Sequence, residues 1–130
     1  MRKALSIASI CAGLLTSPAY ATGEIFCSSS DDVQVDLNIS RFEVLNILNA
    51  SIFIGDKAWS TRDRDDVVPI VVGQAFGDRQ STIVDFMDKN YEGVIARLRI
   101  FHLMENTERA SAGVFSFKGE GAWTVRCDEG

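Results

Sequence analysis

Three cysteines, one histidine and a shortage of basic residues are the first constraints set by this chain of 130 residues. No segment reaches the roughly 20 consecutive apolar residues that a membrane-spanning helix requires, so a membrane anchor in the mature form is not expected. Lys and Arg number 13 against 18 Asp and Glu, a net charge of −5. That deficit denies nucleic acid the basic footprint its phosphates need. The single histidine, His102, has no G-x-S-x-G or similar motif near it, so nothing local signals a nucleophile–base–acid triad. His102 follows a strand pattern running from Val94 to Phe101 and is expected at a strand end or at the surface. No catalytic residue and no cofactor are expected. Long helical periodicity, internal repeats and low-complexity tracts are also missing, which leaves an all-β domain as the expectation.

What is present begins with an export signature. Arg2 and Lys3 precede an apolar run through Leu15 and a Ser17-Pro18-Ala19-Tyr20-Ala21 ending. A basic start, a short hydrophobic region and an Ala-x-Ala type ending read as a signal peptide of residues 1–21, cleaved after Ala21. The short basic start looks bacterial, so a periplasmic or secreted protein is expected, with residues 22–130 forming one domain. Cleavage removes Arg2, Lys3 and Cys11 and no acidic residue, so the mature charge becomes −7. Two cysteines then remain, Cys27 and Cys127, and an even count in an exported chain reads as a disulfide. His102 lies 25 residues from Cys127, which lacks the spacing of a zinc site.

The strand signals are dense. Val33, Val35, Leu37 and Ile39 alternate with polar residues, and Ile47–Ile54 is rich in β-branched residues before a Gly55-Asp56 hairpin turn. Residues 41–46 fit either a short helix, since Ser40-Arg41-Phe42-Glu43 matches a capping box, or strand. Further strand patterns cover Ile70–Val72, Ile83–Met87 and Val94–Phe101. Near the end, Phe115 and Phe117 share one face and Trp123, Val125 and Cys127 another, across a Lys118-Gly119-Glu120-Gly121 turn. About eight strands at this spacing predict a small antiparallel β-barrel or sandwich, its termini tied side by side by the disulfide.

Two groups stand out as surfaces for a partner. One is the charged run containing Arg62, Asp63, Asp65 and Asp66; the other is Phe76 with Asp78 beside a glycine turn, although Phe76 fits a core position as well. Asp88-Lys89-Asn90-Tyr91-Glu92-Gly93 resembles the first half of an EF-hand loop, but Arg99 stands where the ion needs a bidentate glutamate, so no metal is expected. The sequons at Asn38 and Asn49 are read as chance.

With Phe26-Cys27 leading into a strand and a terminal strand closing at Cys127, the overall plan resembles that of periplasmic lysozyme inhibitors, small exported β-barrels with a disulfide. The resemblance implies a barrel and a basic protein partner. The Ser-Gly-rich inhibitory loop of that family has no counterpart here, so no inhibitory residue carries over. The expectation is a non-catalytic binding or inhibitor protein acting on a basic partner. Alternatives are a carrier holding an apolar ligand inside the barrel and, with least support, a hydrolase using His102.

Overall fold

A computed structural model describes residues 13, 22–41 and 43–130. The signal-peptide reading of residues 1–21 concerns, apart from Gly13, residues outside that range, as does Phe42.

Alternation becomes strand wherever one parity can be buried. Val33, Val35, Leu37 and Ile39 are all buried, with Gln34, Asp36 and Asn38 between them on the outer side. The described residues form nine strands: β1 Thr22–Ser28, β2 Val33–Arg41, β3 Leu45–Ile54, β4 Lys57–Ser60, β5 Val68–Gly77, β6 Ser81–Asp88, β7 Val94–Glu105, β8 Glu108–Phe117 and β9 Gly121–Glu129. They follow one another around a closed barrel, β9 returning to β1. Closure gives every strand a neighbour on each side, the β4–β5 junction being the narrowest.

One open alternative is resolved and two expectations are corrected. No helix occupies the described part of 41–46, because Ser40 pairs with Asn46 and Arg41 with Leu45, so the chain reverses between paired strands and Ser40 is never free to cap. The strand expected over Ile70–Val72 runs from Val68 to Gly77, with a bulge at Gly73 re-aiming its second half. Finally, the barrel is not wholly antiparallel: β4 and β5 run parallel through Trp59–Val68 and Ser60–Pro69. Parity requires it. With nine strands and every consecutive pair antiparallel, β1 and β9 would run the same way; one parallel step lets them meet antiparallel, with Cys27 opposite Cys127. The return needs only residues 61–67 because the parallel overlap spans two residues.

The Cys27–Cys127 disulfide joins directly facing residues across that seam, and both cysteines are buried. The interior is filled by side chains. Leu37, Ile52, Phe86, Leu98 and Phe115 are fully buried, each worth about 1.5 to 3 kcal/mol of hydrophobic stabilisation. At one end of the barrel aromatic rings close the core. Trp59 lies 4.4 Å from Phe117, and Phe115 stacks on Trp123 at 6.0 Å. Only glycine fits at position 113, where a Cβ would overlap the backbone carbonyl of Arg99. The opposite end is closed differently, by polar side chains.

Candidate functional site

At that polar end the inward rows of five strands run out of apolar residues together. Arg41 from β2, Thr82 from β6, His102 from β7, Ser111 and Arg109 from β8 and Glu129 from β9 converge there. His102 is 3% exposed, which corrects the expectation of a surface histidine: β7 continues to Glu105, and His102 keeps the inward phase of Leu98 and Ile100. Both ring nitrogens are satisfied, Nε2 at 2.9 Å from Thr82 Oγ1 and Nδ1 at 2.6 Å from Ser111 Oγ. Glu129 accepts from Arg41 at 3.4 Å and lies 3.2 Å from Arg109, while staying 3.9 Å from the imidazole. The cluster therefore corks the barrel with its hydrogen bonds made, as buried polar groups must.

Burial pushes the His102 pKa below its ordinary value, helped by Arg109 and Arg41 and opposed by Glu129 and Asp78. A lowered folded-state pKa means the unfolded chain binds the proton more readily. The stabilisation is then whole above about pH 6.5, the unfolded value, and is lost as pH falls through the folded one. Thermal melts from pH 8 downward are expected to show this loss, with a shallower slope in His102→Gln. Parallel curves for the two proteins would contradict it.

Outside this cork the wall changes character. On the outer side of β7 and β8, Phe101 is 70% exposed and Leu103 80%, opposite Ala112 and Ala110. Small residues on β8 leave the two large ones standing over an open cleft of about 380 Å³, lined also by Arg109, Arg126 and Asp128. A second cleft shares Leu103, Arg109 and Ala110 and runs to Met104, Glu105 and Glu108 at the hairpin tip. The next strands around the barrel are acidic. Asp128 pairs with Phe26, Phe26 pairs with Asp36, and Glu24 lies two residues along β1. Asp36 raises the Glu24 pKa, first through a side-chain hydrogen bond that favours the protonated form and second through its own negative charge. One oxygen of Asp36 is inaccessible and accepts no hydrogen bond among the described residues.

The residues singled out in the sequence fall elsewhere. Arg62, Asp63, Asp65 and Asp66 are exposed in the β4–β5 connection, where Arg64 and Asp66 approach to 3.7 Å. Phe76 is exposed near the end of β5. Asp78 is occupied locally: its carboxylate accepts from the Gln80 and Ser81 amides at 2.7 and 2.8 Å, bonds that lower its pKa. The Asp88 carboxylate accepts from the Asn90 amide at 2.8 Å, so the EF-hand-like segment is a turn. The sequon residues Asn38 and Asn49 hydrogen-bond each other across β2 and β3 at 2.6 Å. The wall formed by Phe101, Leu103 and the acids beside them was missed. Its signal was the shared parity of Arg97, Arg99, Phe101 and Leu103, which carries the outer row past the point where the strand was expected to stop.

Comparison with family models, with curated proteins and with solved structures finds no match.

Proposed function

We propose that the protein is a non-catalytic binding protein, exported to an oxidising compartment, that engages a basic protein partner through its outer surface. The observation that carries this reading is the division of the barrel into a filled interior and an outer wall with large exposed apolar side chains. Phe86, Phe115 and Leu37 occupy the space a carried ligand would need, which weighs against the apolar-carrier alternative. Exposed apolar patches rimmed by polar residues are characteristic of protein contact surfaces. The surplus of acidic over basic residues favours a cationic partner, and the buried disulfide suits an oxidising compartment.

A basic lysozyme of the hen type serves as the probe. Binding is expected at low ionic strength and should weaken as the screening length falls from about 30 Å at 0.01 M salt to about 8 Å at 0.15 M. No binding at the lower salt overturns the reading. The 2.6 Å contact between Ser111 Oγ and His102 Nδ1 favours a second reading, a serine hydrolase. Fluorophosphonate labelling that disappears in Ser111→Ala would establish that reading in place of the first.

A further inference from the structure

We propose that the docking surface is the outer wall of β7, β8, β9 and β1 at the polar end of the barrel, and that its occupant is a protein presenting an apolar side chain flanked by Lys or Arg. The inference rests on the binding reading above and names its site, which is not the charged β4–β5 connection.

Three independent features converge on this wall. The apolar centre is Phe101 and Leu103, standing over Ala110 and Ala112 with no neighbour large enough to cover them. Contact surfaces draw most of their affinity from a few such desolvated side chains inside a polar rim. Closure of the barrel means that these side chains are not waiting for another strand of the same sheet, because β7 and β8 each already have two neighbours.

The rim carries the charge. Glu105 and Glu108 at the hairpin tip and Asp128 on β9 are exposed and take part in no ion pair among the described residues. Two arginines also line the clefts, but Arg109 is engaged with Glu129, leaving Arg126 as the one cation of this rim without a carboxylate partner among the described residues. Three acids against one available cation give a rim complementary to a basic surface.

The third feature is Glu24 with Asp36, continuous with the rim through Phe26 and Asp128. Like-charge crowding here is a cost that the free protein carries. Among the described residues no Lys or Arg forms an ion pair with either carboxylate. A cationic side chain from outside would let both carboxylates ionise, so the pair attracts a lysine or arginine more strongly than an isolated carboxylate on the same wall. The β4–β5 connection lacks this asymmetry, since Arg62 and Arg64 are interspersed with its aspartates.

Binding to the basic lysozyme is measured at low salt for the intact protein and three variants, each checked for an unchanged circular dichroism spectrum. Phe101→Ser with Leu103→Ser removes the apolar centre from exposed positions and is expected to weaken binding roughly tenfold or more. Glu24→Gln is expected to weaken binding while leaving the melting temperature unchanged or higher, because it removes a repulsion in the free protein; a purely structural role would lower both. Asp63→Asn with Asp65→Asn and Asp66→Asn is expected to change affinity less than threefold, about the effect of distant charges under partial screening. If the loop variant abolishes binding and the wall variants do not, the docking surface is wrong and the binding reading survives. If the intact protein does not bind, the binding reading fails first.

Discussion

Replacing both Cys27 and Cys127 with alanine is expected to lower the unfolding free energy by about 2 to 5 kcal/mol. The bond closes a loop across a sequence separation of 100 residues, so much of the effect comes from freeing the unfolded chain. The folded state contributes as well. β1 and β9 are paired through only four residue pairs, Ile25 to Ser28, extended by the reciprocal backbone bonds of Glu24 and Gly130, whereas β7 and β8 are paired through ten. The seam is therefore the shortest junction involving a terminal strand, and the disulfide sits in it. Alanine is the better replacement because both cysteines are buried and a serine hydroxyl there would need a hydrogen-bond partner. Urea unfolding measures the loss, and hydrogen exchange should quicken first in β1 and β9. A loss below about 1 kcal/mol would show that strand pairing alone closes the barrel.

Phe115→Ala is expected to cost about 3 to 5 kcal/mol. Phe115 is fully buried on β8, facing Leu98 of β7 and Trp123 of β9, with its ring 6.0 Å from that of Trp123 and 6.5 Å from that of Phe117. Truncation opens a void between Trp123 and Phe117, the latter itself packed against Trp59. Neighbours fixed on a closed sheet cannot collapse into the space, which places the cost at the upper part of the usual range. Phe115→Leu keeps more of the volume and should lose distinctly less. Against a total stability of about 5 to 15 kcal/mol for a domain of this kind, the alanine variant loses a large share of its margin. Equal stabilities of the alanine and leucine variants in urea would contradict the packing account.

Much of the barrel is legible in the sequence because its rule is binary. Val33 to Ile39 and Phe115 to Phe117 alternate strictly, and one buried face per strand fixes what is inside. The disulfide follows from pairing Cys27 with Cys127, the two cysteines left once the N-terminal segment is read as a signal, since termini that close a sheet lie side by side. The bulges are less legible. At Leu48, Gly73 and Ile95 an extra residue shifts the register, and nothing in an apolar pattern says which residue will be left unpaired. The parallel step between β4 and β5 answers a parity condition on the whole barrel, which no local stretch contains.

The candidate site is less legible for a related reason. His102 reads as a strand-end residue only because Leu103 and Met104, apolar on both faces, break the alternation. Its partners Thr82, Ser111 and Glu129 are spread over three other strands and meet by register alone. Glu24 and Asp36 are likewise unremarkable 12 positions apart until β1 and β2 pair. By contrast, the conspicuous charges at 62–66 stand out because they are consecutive, and consecutive charges in a connection are commonly a solvated run.

Carbodiimide labelling of carboxylates, read by mass spectrometry with and without the bound basic lysozyme, tests the account most directly, since it reports on both candidate surfaces in one sample. The account predicts that Glu24, Glu105, Glu108 and Asp128 become protected while Asp63, Asp65 and Asp66 label at the same rate as in the free protein. Protection of the three loop aspartates with the wall carboxylates unchanged would contradict it.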